Sequence, residues 1–130
     1  MLDQSADAPA IFTGRYQDAR RHPDVVLVRT SVGRPRFIRG PLPTLVEATP
    51  YGLLKVTGDE FEKRYHERLD SFGAERIGER LHELEAEYGR PLVLCCFEDV
   101  IAGQACHRRM FADWWMRRTG EPIDELPPRT

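Results

Sequence analysis

The chain predicts a small three-layer α/β sandwich, a mostly parallel sheet flanked by helices. Three observations carry that reading. Leu92 to Phe97 is apolar without alternation, the pattern of a strand covered on both faces. Asp24 to Thr30 is a second such run, rich in β-branched residues. Between them lie two segments whose apolar residues recur at helical spacing, and strands that alternate with helices pair in parallel through crossover connections.

Length and composition bound the answer. A chain of 130 residues, 41% hydrophobic, is long enough for one domain with a real core and too short for two. Residues 11–126 are expected to form that domain, after a small polar leader over 1–10 and before a tail over 127–130. Nineteen Lys and Arg against 21 acids give a net charge of −2, so nothing in the total asks for nucleic acid or an anionic membrane. Three cysteines, two of them adjacent in an apolar run, do not make a disulfide framework and fit a reducing compartment. No signal peptide is visible, and no apolar run approaches the roughly 20 residues that span a bilayer. A cytoplasmic protein without membrane partners is expected, of unknown oligomeric state.

Taken in order, Ile11-Phe12-Thr13 reads as a short first strand, and Gly14 to Pro23 has room for a turn or two of helix. The strand over 24–30 opens into Ser31 to Gly40, where two glycines and a proline forbid a regular element. Residues 41–58 are broken by Pro41, Pro43, Pro50, Gly52 and Gly58, leaving a strand or turn at Leu45-Val46 and another at Leu53 to Val56. Thr57-Gly58-Asp59-Glu60 has the spacing of a capping box, and Phe61, Tyr65, Leu69 and Phe72 continue it as an amphipathic helix that Gly73 ends. Ile77, Leu81, Leu84 and Tyr88 stripe a second helix, stopped by Gly89 and Pro91. After the Leu92 strand, Gln104 to Thr119 reads as a helix whose Met110, Phe111, Trp114 and Trp115 are most simply core. Ile123 and Leu126 alternate with acids, as in a short edge strand.

In open α/β sheets ligands bind beyond the carboxyl ends of the strands, which is where Glu98, Cys106, His107 and Arg108 fall. Cys106-His107-Arg108 at a helix start suggests an anion pocket, through backbone N–H groups, the helix dipole and the arginine. The plainer alternative has Cys106 in the core and the arginines solvated. Four arginines fall within the eleven residues Arg29 to Arg39, on a loop that opens at the same sheet edge. Ser31-Val32-Gly33-Arg34 lacks the lysine and glycine spacing of a P-loop, so it is a generic backbone nest at most, or a solvated surface loop. Cys95 and Cys96 point to opposite faces of their strand and read as small core hydrophobes. Cys106, beside a histidine and an arginine, is the better candidate for a reactive thiol. Glu98 is the candidate acid or base, or else the partner of an arginine. No metal is expected: Cys96, Cys106 and His107 have no paired ligand spacing, and adjacent Cys and His seldom point at one ion.

Leu94-Cys95-Cys96-Phe97-Glu98 followed by Cys106-His107-Arg108 resembles the Leu-Cys-x-x-Glu and Cys-His-Arg signature of the bacterial domain of unknown function four-eight-eight. Arg29, Pro35-Arg36-Phe37, Pro50-Tyr51, the Phe/Tyr helix and the closing Trp-rich helix occur in similar order, so the likeness covers most of residues 11–126. Many members carry an acid before the strand-two arginine, where Val28 stands here. The resemblance implies a compact α/β fold and a shared polar pocket at Arg29, Glu98, Cys106, His107 and Arg108, without a reaction. Catalytic roles are expected for Glu98, Cys106 and His107, and ligand binding for Arg29, Ser31, Arg34, Arg36, Tyr51 and Arg108. The ligand expected is an anionic small molecule, phosphorylated or nucleotide-like, with the cofactor unknown. The alternative is a non-catalytic module that binds nucleic acid or protein through the Arg34 to Arg39 loop and any exposed Phe37, Trp114 or Trp115.

Overall fold

The computed structural model describes residues 10–97 and 106–126. Within them a four-stranded sheet has the order β2-β3-β1-β4, from β1 (Ile11–Arg15), β2 (Val26–Arg29), β3 (Leu92–Cys96) and β4 (Asp124–Glu125). Every pairing is parallel: Ile11 faces Leu92, Val26 faces Leu92, and Phe12 faces Asp124. The central strand β3 is buried at all five positions, as its unbroken apolar run requires.

Helices cover both faces. On one, α2 (Gly58–Phe72), α3 (Ala74–Tyr88) and α4 (His107–Thr119) pack on Val26, Val28, Leu92 and Leu94. On the other, the short α1 (Tyr16–Ala19) covers Val93, Cys95 and Leu126 with help from Ile38 and Leu42. The alternation of β3 thus assigns Cys95 to the thin layer and Cys96 to the α4 side. The connection leaving β1 runs through α1 towards β2, while that leaving β3 runs over the opposite face through α4 towards β4. The two adjacent strands therefore send their chains in opposite directions, which opens a crevice at their carboxyl ends.

Local chemistry explains most element boundaries. Gly73, at φ 88°, accepts the end of α2 and starts α3 in a single residue, a conformation that penalises any side chain. At Gly14 a Cβ would lie 3.0 Å from Val93 Cγ1, a tight contact that a larger residue could make only if the valine shifted. The 57–60 capping box does not form: helix α2 starts where expected, yet Thr57 makes no side-chain cap and Glu60 pairs instead with Arg64 at 2.7 Å. Strand β1 runs two residues beyond Thr13, and β2 is confined to 26–29. The stretch at 45–46 is not a strand: Thr44 bridges Arg29, Val46–Ala48 is a single 3-10 turn, and Leu53 to Val56 is a turn closed by the Val56 N–H on the Leu53 carbonyl. The short edge strand is β4, with Ile123 and Leu126 buried on either side of it. Helix α4 begins at His107, and Gln104 and Ala105 lie outside the described residues. No helix among the described residues is long and apolar enough to cross a membrane.

Both tryptophans are core residues with a polar tip. Trp114 and Trp115 are each 4% exposed; their indole N–H groups donate to Asp70 and Glu121. Two tyrosines are buried likewise, Tyr65 donating to the Ala48 carbonyl at 2.6 Å and Tyr16 bonding the Ser31 hydroxyl at 2.7 Å. Burial pushes the Tyr16 phenol up to about 12 and that of Tyr65 higher still. Unfolded tyrosine titrates near 10, so above that pH the unfolded chain sheds protons that the folded one keeps, and stability falls. Denaturant titrations between pH 9 and 11.5 are expected to show a loss approaching about 1.4 kcal/mol per pH unit for each such tyrosine. Tyr65→Phe should have the shallower slope of the two proteins, and equal slopes would contradict the assignment to Tyr65.

Candidate active site

At the carboxyl ends of β2 and β3 lies a cavity of about 620 Å³. One wall is the Ser31-Val32-Gly33 loop that leaves β2; another is Thr57 and Gly58 at the start of α2; a third is Cys106, His107 and Met110 at the start of α4. Pro50, Leu53, Leu54, Val56, Phe61 and Phe97 complete it, so the lining is chiefly apolar and two helix N-termini border it. The first turn of α4 carries no acid, whereas that of α2 carries Asp59 and Glu60. The α4 side is therefore the better place for negative charge.

Cys106 is the N-cap of α4, its sulfur accepting the Arg108 backbone N–H at 3.4 Å. It is 5% exposed and joined to Cys96 by a disulfide. Cys96 is buried as expected, but the pair corrects the reading of it as no more than a small core hydrophobe. Chain spacing hid it, because the last residue of a strand and the first of a helix meet only once α4 crosses the sheet. Cys95 on the other face is a free, buried thiol whose pKa burial pushes up, so it stays protonated. His107 lines the cavity, and its Nε2 lies 2.6 Å from the Thr30 carbonyl. A carbonyl can only accept, so Nε2 is the donor in this contact. The Tyr65 ring meets the imidazole edge to face at 5.6 Å.

Arg108 lies behind the cavity rather than in it. It is 1% exposed; its Nη2 and Nε meet Glu125 at 2.6 and 3.0 Å, and its Nη1 donates to the sulfurs of Cys96 and Cys106 at 2.8 and 3.3 Å. Thr13 donates to the same Glu125 at 2.7 Å and accepts from Arg109, which extends the network under β1. Buried, turned to Glu125 and the two sulfurs, and absent from the cavity lining, the guanidinium is not placed to meet a ligand there. Arg108 is better read as a residue that positions the sulfurs. Glu125 escaped sequence reasoning, since a half-buried acid in a two-residue strand has no signal beyond the apolar residues flanking it.

The remaining candidates divide. Ser31 lines the cavity, but its hydroxyl donates to the Gly33 carbonyl at 2.6 Å and bonds Tyr16, so it shapes the loop. Arg29 and Tyr51 pair with each other at 3.1 Å, and neither lines the cavity; the Arg29 Nε is buried without a partner among the described residues. Arg34 turns back on the Ile38 and Gly40 carbonyls of its own loop. Arg36 is exposed, and Phe37 is exposed under the Arg20 guanidinium. Glu98 lies outside the described residues. Of the expected site residues the structure thus brings Ser31, Cys106 and His107 to one cavity and seats Arg29, Arg34, Arg36, Tyr51 and Arg108 elsewhere.

Comparison of the chain with protein-family models, with curated proteins and with solved structures finds no match. The chemistry of the site is carried by its geometry.

Proposed function

We propose that the protein is a small enzyme acting on a molecule with an apolar, ring-bearing body and an anionic end, such as a phosphorylated or nucleotide-like compound. The observation that carries this reading is the cavity at the strand ends, walled by aliphatic and aromatic side chains and bordered by the N-terminus of α4. A flat ring fits against Phe61, Phe97 and Met110, while the anionic group faces the acid-free first turn of α4 and the Ser31 to Gly33 loop. Once a thiol reductant opens the Cys96–Cys106 bond, the Cys106 thiol and the His107 imidazole are the reactive groups on the cavity wall. The arginine cluster contributes little to this reading, because Arg34 is spent on its own loop. For the alternative, a nucleic-acid surface on the Arg34 to Arg39 loop, Trp114 and Trp115 are buried and Arg34 is spent on its own loop, while Arg36, Phe37 and Arg39 are exposed.

A thermal-shift series tests the reading on reduced protein with phenyl phosphate and adenosine monophosphate against inorganic phosphate and phenol. The two amphipathic anions are expected to raise the melting temperature and the two halves alone to have little effect. Val32→Trp, which plugs the cavity from its loop wall, should remove the shift. Equal shifts in that variant, or a response to inorganic phosphate alone, would place binding elsewhere.

A further inference from the structure

We propose that the reduced Cys96 and Cys106 thiols, together with His107, form a site for a thiophilic divalent cation, zinc first, with one coordination position open to the cavity. The inference does not depend on the identity of the substrate. The two sulfurs and a ring nitrogen of His107 lie within 4.8 Å of one another, though they come from the end of β3, the N-cap of α4 and its first residue. Thiolate and imidazole are the donors that zinc selects, and three protein ligands with a fourth position left to water or substrate is the pattern of a reactive rather than a structural zinc.

The surroundings are those that orient metal ligands. The Nε2 of His107 lies 2.6 Å from the Thr30 carbonyl, a contact that holds the ring in place beside the two sulfurs. Arg108 Nη1 donates to both sulfurs, and Glu125 balances its charge, so the cation would meet two thiolates and a neutral ion pair rather than an uncompensated guanidinium. Binding displaces two thiol protons to bulk water, and the doubly charged ion then cancels the charge of the two thiolates. Cys106 and His107 both line the cavity, so the open position faces it. With the Cys96–Cys106 bond formed, neither sulfur is a thiolate and the site is closed.

Cobalt(II) reads this out directly. Added to the reduced, metal-free full chain, it is expected to bind one to one, with a thiolate-to-cobalt charge-transfer band in the near ultraviolet and the intense visible bands of a tetrahedral site. One equivalent of zinc should erase both. Cys106→Ser should lose most of the charge-transfer intensity, His107→Ala should weaken binding more than tenfold, and Cys95→Ser should change neither. Because a Cys96 variant disturbs a buried position, the wild-type chain supplies the second readout: zinc should protect Cys96 and Cys106 from alkylation by iodoacetamide, followed by mass spectrometry. Absence of the bands in reduced protein, their survival in Cys106→Ser or His107→Ala, their presence in the disulfide form, or unprotected alkylation would each overturn the site.

Discussion

Glu125→Ala is expected to cost about 3–5 kcal/mol of folding stability, the range for removing one partner of a buried ion pair. Arg108 is 1% exposed and Glu125 17%, so the guanidinium would keep its charge in a place that water hardly reaches after losing the carboxylate that neutralises it. Against a total of roughly 5–15 kcal/mol, that loss should appear as a large fall in the urea midpoint. Replacing both partners with apolar residues, Arg108→Met with Glu125→Leu, should recover most of it, since desolvating the pair offsets much of its attraction. A double variant no more stable than Glu125→Ala would show that the residue matters for something other than the pair. Thr13, which also donates to Glu125, makes Thr13→Val the milder probe of the same network.

Phe111→Ala is expected to cost about 3–5 kcal/mol as well, by a different mechanism. Phe111 is 1% exposed at the centre of α4, its ring stacked on that of Trp115 and tilted against that of Trp114 with centroids 6.0 Å apart in each case. Truncation leaves a void that these two large rings, pinned through Asp70 and Glu121, cannot collapse to fill. The contrasting variant is Leu54→Ala. Leu54 is 73% exposed and lines the cavity, so it should change stability by less than about 0.5 kcal/mol while weakening phenyl phosphate binding. Guanidinium titrations of both variants alongside binding isotherms separate the core from the site; a strong stability loss in Leu54→Ala would remove that distinction.

The fold was legible where one pattern dominated. Strand β3 announced itself by five buried apolar residues, and α2 and α3 by stripes at helical spacing with Gly73 between them. Residues 41–58 were not, because their order comes from contacts distant in sequence, such as the Arg29 N–H on the Pro43 carbonyl and Tyr65 on Ala48, which no local pattern encodes. The edge of the sheet that holds the site was legible from the rule that ligands bind beyond the carboxyl ends of parallel strands, and so were Cys106 and His107 at it. The role of each arginine was not. Arg108 has the same local appearance as a solvated arginine, yet it is buried against Glu125, which arrives from the far end of the chain, and against the sulfurs of Cys96 and Cys106. The same holds for Cys96 and Cys106, whose ten-residue separation fits no ligand spacing and whose meeting depends on α4 crossing over β1.

The central claim is that the cavity beside Cys106 and His107 is where this protein meets its ligand. It is tested most directly by methyl-resolved NMR of the reduced chain titrated with phenyl phosphate. Shifts concentrated in Val32, Leu53, Leu54, Val56 and Met110 are predicted, with Ile38 and Leu42 near the arginine loop unmoved. Shifts centred on Ile38 and Leu42, or no saturable shift at any methyl, would contradict it.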